Sequence, residues 1–282
     1  MLLSGNLNGL QHIGIPTGDI EKTKNWYTGI LGFKVVHEKN IVVHDEDISA
    51  AFLQLGDIIV ETYQPSIPNT DVKSHGYIDH FAIYINDIDA FYAECVSKGV
   101  LIDSSTKDGP VFSKYTEGKK FKFLCILGPN GERIELNQCL GDKNSVRGSN
   151  FTRLSHLGLY TDNIEESIRF YTNLGFRNVL NTYSEDSEND VKSAVMEKDS
   201  MQIELCRYAR DFSECKKCKG NGSIDHIALD VNDIEKAYSE VITLGIEVLE
   251  DGLTFLPFWQ NGVKFFTIRG PGNEKIEFNQ KL

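Results

Sequence analysis

Hydrophobic and polar residues alternate near the beginning of the chain, over residues 10–16. Isoleucines fall on one side of this segment and His12 falls on the other. Alternation with a period of two is the pattern of a β-strand. Asp19 then provides a helix cap, the following apolar residues have helical spacing, and Gly32 comes after them. The pattern therefore predicts a strand followed by a helix.

The same reasoning extends along the rest of the chain. Strands are predicted at residues 34–38, 49–55 and 58–63, and residues 64–77 are predicted to form a loop. A second unit is predicted to have a strand at 79–85, a helix at 87–98 and strands near 100–103, 121–127 and 132–138. The C-terminal half repeats the plan with strands at 154–160, 201–206, 225–231 and 274–280 and helices at 163–173 and 233–244.

Two copies of one pattern explain this repetition. Ile-Asp-His-Phe-Ala at residues 78–82 recurs as Ile-Asp-His-Ile-Ala at 224–228, and both copies run on into Asn-Asp-Ile. Gly-Pro followed by Ile-Glu recurs in the same way at 128–135 and 270–277. A repeat at this spacing indicates duplicated structural units. We therefore expect an α+β fold made of four βαβββ modules.

Each half of the chain carries histidine, glutamate, histidine and glutamate in the same order. These residues are His12, Glu61, His80 and Glu135, followed by His156, Glu204, His226 and Glu277. Imidazoles and carboxylates form a mixed set of nitrogen and oxygen donors that suits a divalent transition metal, with open positions for water or substrate. The alternative is a set of buried polar residues without a metal. His37, His44 and His75 have no counterparts and are predicted to lie on the surface or in loops.

Small residues follow each of these histidines by two positions. They are Gly14, Ala82, Gly158 and Ala228. On a strand, residues two positions apart share a face. Space for a bulky group is therefore expected beside each histidine.

Length and composition restrict the classes of protein to which the chain can belong. The 282 residues suffice for two domains, which we place at residues 1–140 and 153–282 with a polar linker at 141–152. The net charge of −12 argues against nucleic acid as a partner. The chain shows no signal peptide and no apolar run long enough to cross a membrane, so we expect a cytoplasmic protein.

Two local features carry further hypotheses. Cys215 and Cys218 form a lone C-x-x-C pattern, which we interpret as a variable loop with reduced thiols, with a zinc knuckle as the alternative. Residues 109–115 and 255–259 are corresponding segments rich in aromatic side chains. They favour a hydrophobic or ring-bearing ligand, although core packing explains any one of them equally well.

The duplicated ligand pattern resembles the vicinal oxygen chelate superfamily, which includes glyoxalase I, extradiol dioxygenases and bleomycin-resistance proteins. The resemblance covers nearly the whole chain as two tandem domains. It implies that all eight repeated residues are metal ligands and that Glu135 and Glu277 act as catalytic bases. Glyoxalase I usually has an arginine soon after its first histidine, which helps to hold glutathione. This chain has Pro16 and Tyr160 at the comparable strand ends, which argues against glutathione.

The resemblance implies a metal-dependent lyase or isomerase of the glyoxalase I type that acts on a small oxygenated substrate. The expected cofactor is a divalent ion of nickel, zinc, cobalt, manganese or iron, with two octahedral sites per chain. One alternative is an Fe(II) dioxygenase that uses His156, His226 and Glu277. The other is a non-catalytic protein that binds a small molecule. We expect a monomer or a homodimer.

The modules can pair in two ways. The loop at 64–77 is long enough for neighbouring modules to pair locally, so we expect each half of the chain to build its own site. The first site would then contain His12, Glu61, His80 and Glu135. In the exchanged arrangement, His12 and Glu61 join His226 and Glu277 instead.

Overall fold

A computed structural model of the chain describes residues 3, 5–43, 45–66, 76–112, 120–140, 150–182, 192–207 and 222–282. The first module contains β1 (Leu7–Pro16), α1 (Ile20–Trp26), β2 (Lys34–Val43), β3 (Glu46–Leu55) and β4 (Ile58–Pro65). The second contains β5 (Ile78–Ile85), α2 (Ile88–Lys98), β6 (Val111–Phe112), β7 (Lys120–Leu127) and β8 (Arg133–Leu140). The third contains β9 (Phe151–Tyr160), α3 (Ile164–Asn173), β10 (Arg177–Thr182), β11 (Lys192–Lys198) and β12 (Met201–Arg207). The fourth contains β13 (His226–Val231), α4 (Ile234–Thr243), β14 (Thr254–Leu256), β15 (Val263–Arg269) and β16 (Lys275–Lys281). The prediction of an α+β fold with four βαβββ modules is confirmed.

Each of the four α-helices in the described ranges begins at a side-chain cap. Asp19, Asp87, Asn163 and Asp233 each accept a hydrogen bond from a backbone N–H in the first turn. Such caps satisfy amide groups that have no partner within the helix. α1 continues into a π-helical turn over Tyr27–Leu31. The predicted helix starts are therefore confirmed.

The strand predicted near residues 100–103 is wrong. Only Ile102 pairs there, in an isolated bridge with Ile126. The Asp103 carboxylate accepts a hydrogen bond from the amide of Ser105 and starts a short 3-10 turn over Ser104–Thr106. The turn ends the backbone pairing after Asp103, and the Thr106 hydroxyl bonds to the backbone of Cys125 on β7 instead.

The strands form two eight-stranded sheets in the described part of the chain. The first sheet has the order β14-β15-β16-β13-β1-β4-β3-β2, and the second has the order β10-β11-β12-β9-β5-β8-β7-β6. β1 pairs antiparallel with β13, and β5 pairs antiparallel with β9. The first sheet is therefore built from modules one and four, and the second sheet from modules two and three.

This arrangement contradicts the expected pairing within each half of the chain, of module one with two and of module three with four. Loop length permits either arrangement, so it did not decide the outcome. The seam between β1 and β13 is held by side chains far apart in sequence: Asn6 and Asn8 bond to the segment at residues 230–233, and Gln11 bonds to Asn279. These tertiary contacts favour the exchanged pairing. The linker prediction stays open, because residues 141–149 lie outside the described residues.

Neighbouring modules meet across the two sheets through a duplicated buried pair. The Tyr27 hydroxyl donates to Glu132 Oε1 at 2.8 Å, and the Tyr171 hydroxyl donates to Glu274 Oε1 at 2.6 Å. Burial raises the pKa of Glu132 and of Glu274 to about 7. Each pair lies within one continuous apolar core that takes residues from all four modules and from the four helices.

Candidate metal centres

One cluster of ligand-type side chains lies on the first sheet, and we call it site A. It consists of His12 on β1, Glu61 on β4, His226 on β13 and Glu277 on β16. His12 Nε2 lies 2.9 Å from Glu61 Oε2 and 3.1 Å from His226 Nε2. The remaining imidazole-to-carboxylate distances are 3.8–3.9 Å. All four side chains are buried.

A second cluster on the other sheet is site B, which consists of His80 on β5, Glu135 on β8, His156 on β9 and Glu204 on β12. The two Nε2 atoms are 3.0 Å apart. His156 Nε2 lies 3.4 Å from Glu204 Oε2 and 3.6 Å from Glu135 Oε1, and His80 Nε2 lies 3.9 Å from Glu135 Oε2. The structure thus gathers all eight predicted residues into two sets of four, in the exchanged combination.

A glycine makes room for one imidazole in each site. A Cβ atom placed on Gly14 would lie 2.1 Å from Cε1 of His226, and one placed on Gly158 would lie 2.2 Å from Cε1 of His80. Contacts below 3.0 Å require something to shift. The bulky group expected beside these small residues is therefore the histidine of the paired module.

Hydrogen bonds behind site A fix the orientation of its side chains. Gln11 Oε1 lies 2.8 Å from His12 Nδ1, and Gln11 Nε2 donates to Asn279 Oδ1 at 2.6 Å. Asn279 Nδ2 in turn donates to Glu277 Oε1 at 2.7 Å. A partner on the outer ring nitrogen orients an imidazole so that its Nε2 faces the site. One amide chain therefore couples a histidine to a carboxylate.

The outer nitrogens of the other histidines have polar partners as well. His226 Nδ1 lies 3.2 Å from Asp225 Oδ2, and Lys275 Nζ bonds to both oxygens of Asp225. In site B, His80 Nδ1 lies 2.8 Å from Asp79 Oδ2, which also accepts from Arg133. The aspartates precede the duplicated histidines in the sequence, so the repeat itself contained the signal for them.

Site B has the same plan with different neighbours. Asn137 donates to Glu135 Oε1 at 2.9 Å, and Ser155 Oγ lies 3.2 Å from His156 Nδ1. Cys125 Sγ lies 3.8 Å from Glu135 Oε2. Burial raises the pKa of the Cys125 thiol to about 12, so that this thiol is neutral.

The charges of site A shift the pKa values of its members. Burial raises the pKa of Glu61, but His12 and His226 outweigh burial and lower it to about 2. Burial lowers the pKa of His226, but hydrogen bonds to Asp225 and Glu61 raise it to about 10. Burial raises the pKa of Glu277. In site B the paired charges likewise overcome burial, raising the pKa of His156 and lowering that of Glu204.

The donor atoms fit a divalent transition ion. Ligand atoms about 2.1 Å from such an ion lie roughly 3 Å apart when adjacent and roughly 4 Å apart when opposite, and both sites have distances in that range. In each site, two imidazole nitrogens and a carboxylate oxygen lie within 4.8 Å of one another. Binding of an ion through Nε2 would displace the proton that the raised pKa of His226 otherwise keeps on this ring.

A cavity of about 300 Å³ opens onto Glu61, His226 and Glu277. Apolar side chains of β2 and β3 form one wall, and Leu256 and Phe258 belong to the other. Phe258 of the aromatic segment 255–259 thus lines the cavity and also packs in a small apolar cluster, so the structure is consistent with both explanations of this segment. Residues 113–119 lie outside the described residues, which leaves the matching segment untested.

His37 was predicted to lie on the surface or in a loop, and it lies partly exposed on β2, at the edge of the first sheet. Its ring stacks on Trp259 with centroids 4.7 Å apart, and its Nε2 accepts the Trp259 amide at 3.2 Å. Burial, with the charges of Lys39 and Lys281, lowers the pKa of His37, so that the ring is neutral and can accept. Trp259 has a φ of 59°, in the left-handed region. No local signal in the sequence indicates this partner.

The other unpaired features fall outside the described residues. His44, His75, Cys215 and Cys218 are among them. The zinc-knuckle alternative for the two cysteines therefore stays untested.

Comparison with known proteins agrees with this fold. Two family models, both described as the glyoxalase/bleomycin resistance protein/dioxygenase superfamily, match residues 9–136 and 155–256. The chain belongs to this superfamily as a tandem member.

Relatives and solved structures extend the likeness over both halves. A lactoylglutathione lyase from Arabidopsis thaliana is 28% identical over 243 residues, which is 83% of this chain and 77% of that protein. An uncharacterized Bacillus subtilis protein is 26% identical over 49% of this chain and 98% of its own length. The crystal structure of glyoxalase I from Zea mays superposes with a TM-score of 0.71 at 21% identity, covering 96% of this chain and 92% of that one. This structural similarity supports the fold.

None of the helices in the described ranges has the length and apolar character needed to cross a membrane.

Proposed function

We propose that the protein is a metal-dependent lyase or isomerase of the glyoxalase I type. The observation that supports this most strongly is the convergence of two imidazoles and two glutamates in each site, with imidazole-to-carboxylate distances of 2.9–3.9 Å, on a fold shared with glyoxalase I. In site A the metal would be held by His12, Glu61, His226 and Glu277. Nickel, zinc, cobalt, manganese and iron all suit such donors.

The reaction that we propose is a proton transfer between two adjacent oxygenated carbons of a small substrate. A bound divalent metal would polarise the substrate oxygens and stabilise the negative charge that develops on them. Glu277 accepts the proton from one carbon and returns it to the next, so that the substrate is isomerised without gain or loss of atoms. Asn279 donates to Oε1 of Glu277, and we assign the proton transfer to Oε2, which lies 3.8 Å from His226 Nε2.

Glu135 has the same role in site B, where Asn137 holds it. Glu61 and Glu204 complete the two metal sets. The dioxygenase alternative needs two histidines and one glutamate, whereas each site here presents a fourth donor. That extra glutamate favours the isomerase.

The test is an assay of metal-loaded protein on hemithioacetals of 2-oxoaldehydes, in which formation of the thioester is followed by absorbance. We expect thioester formation with at least one of the five metals. We also expect a loss of activity in the double variant Glu135→Gln with Glu277→Gln. Oxygen consumption with Fe(II) on a catechol, without any isomerisation, would select the dioxygenase instead.

A further inference from the structure

The cavity at site A has a wall that is mostly apolar. Three of the metal-type ligands lie at its base, and side chains from the first and fourth modules surround it. The apolar members include Ile41, Val43, Ile48, Leu249, Leu256 and Phe258. Ile41 and Phe258 also belong to a small apolar cluster separate from the main core. A substrate bound at the ligands would therefore have its remaining atoms against hydrocarbon.

The charged groups of this wall are already paired. Lys275 is the one lysine or arginine among the described residues that line the cavity, and it bonds to both oxygens of Asp225 at 2.9 and 3.1 Å. Glu250 also lines the cavity and accepts the amide of Thr267 at 2.7 Å. Apart from the site A residues, the cavity lining thus carries one positive charge, on Lys275, and two negative charges, on Asp225 and Glu250.

This distribution disfavours an anionic substrate. A carboxylate that enters the cavity would lose water and would meet a lysine already held by Asp225, beside the carboxylate of Glu250. An apolar group that enters the same space would gain from burial against the isoleucine, valine and phenylalanine side chains. The cavity therefore discriminates by the charge of the substrate tail.

We propose that the substrate of site A carries an uncharged branched-alkyl or ring-bearing tail beside its adjacent oxygens, and not the carboxylates of a glutathione conjugate. This inference rests on the proposed function and narrows its substrate class.

Binding can be tested with hydroxamates, which chelate metals through two adjacent oxygens and differ only in their tails. The protein is the Ni²⁺-loaded His156→Ala variant, in which site B is disabled, and Kd is measured by calorimetry. We expect benzohydroxamate to bind about tenfold more tightly than acetohydroxamate, since a phenyl ring buries apolar area. We expect 4-carboxybenzohydroxamate to bind about tenfold more weakly than benzohydroxamate.

A charge-switch variant tests the cavity directly. Ile48→Lys places a cation on the cavity wall and should reverse the preference, so that the carboxylated compound binds more tightly than benzohydroxamate. Val42→Lys adds the same charge six positions earlier at a residue that is 66% exposed, and it should leave the preference unchanged. Tighter binding of the carboxylated compound to the protein with Ile48 and Val42 intact would overturn the inference, as would equal effects of the two lysine variants.

A comparison of catalytic rates for two substrates that differ in the charge of the tail tests the same inference. Hemithioacetals of phenylglyoxal are prepared with 2-mercaptoethanol and with glutathione, so that only the thiol differs. A higher kcat/KM with 2-mercaptoethanol supports the inference, and a higher kcat/KM with glutathione overturns it while the proposed function stands. If neither is isomerised although benzohydroxamate binds preferentially, the proposed function is wrong and the preference of the cavity for uncharged tails is retained.

Discussion

His12 Nε2 lies 3.9 Å from Glu277 Oε1, although the two residues belong to the first and fourth modules. Their proximity predicts that a double variant His12→Ala with Glu277→Ala disables site A alone. We expect such a protein to bind about one metal per chain by elemental analysis, because the four ligands of site B are intact. His12→Ala with Glu135→Ala removes one ligand from each site and is the matched control. Equal metal content in the two double variants would contradict the exchanged pairing.

Gly14 should be intolerant of a side chain. Because a Cβ there would lie 2.1 Å from Cε1 of His226, Gly14→Ala displaces that imidazole and should abolish metal binding at site A. Gly158→Ala should do the same at site B. Gly252→Ala is the control, since a Cβ at Gly252 meets nothing within 4 Å. Metal titration of the three variants checks this, and retention of both metals in Gly14→Ala would show that the ring relaxes freely.

Asn279 should tune the affinity of site A without being a ligand. It donates to Glu277 and accepts from Gln11, which faces His12. We expect Asn279→Ala to weaken metal binding at site A roughly 10- to 100-fold, as is usual for groups that orient ligands. Asn137→Ala is the reciprocal variant and should weaken site B instead. Competition with a chelator measures both affinities, and a uniform loss at the two sites would indicate general destabilisation.

The Tyr27–Glu132 pair predicts a pH dependence of stability. The pKa of Glu132 is about 7 in the folded protein, and an unfolded glutamate has a pKa of about 4.3. Between these values the folded state binds the proton more strongly, so the free energy of unfolding falls as pH rises from about 4 to about 7. Above that range this effect on stability is constant, at a cost on the order of 3 kcal/mol.

Glu132→Gln removes the titrating group. The stability of this variant relative to the unsubstituted protein should therefore increase between pH 5 and pH 8, as measured by urea denaturation in the presence of a chelator. Glu165→Gln removes a charge at an exposed position and serves as control. Parallel pH profiles for Glu132→Gln and the unsubstituted protein would mean that Glu132 is ionised throughout.

The sequence contained enough to predict the modules and the residues that approach one another. The alternation around His12 and the capping residue Asp19 are local signals, and duplication of the histidine and glutamate positions identified all eight members of the two sites. Their grouping could not be obtained in the same way, because the relevant loop is long enough for both pairings. It depends on contacts such as the bond between Gln11 and Asn279, which join distant segments.

Among the side chains that surround the sites, some could be predicted from the sequence and others could not. Asp225 precedes a repeated histidine, so a close reading of the repeat indicates it. His37 has no repeated counterpart, and its stacking on Trp259 depends on the approach of an edge of the first module to a loop of the fourth. Contacts of this kind can be recognised only once the tertiary structure is known.

Because of the exchanged pairing, the residues of site B lie in sequence between the two groups of residues that form site A. All members of site B fall between His80 and Glu204, whereas those of site A fall outside that interval on both sides, from His12 to Glu277. During synthesis on the ribosome, the second and third modules can therefore meet and complete their sheet first. β1 is already paired with β4 on one side, but its other edge must wait for β13 to emerge. That unpaired edge is exposed to other chains for longer, which makes the first module the part of the nascent protein with the greatest need of protection from aggregation.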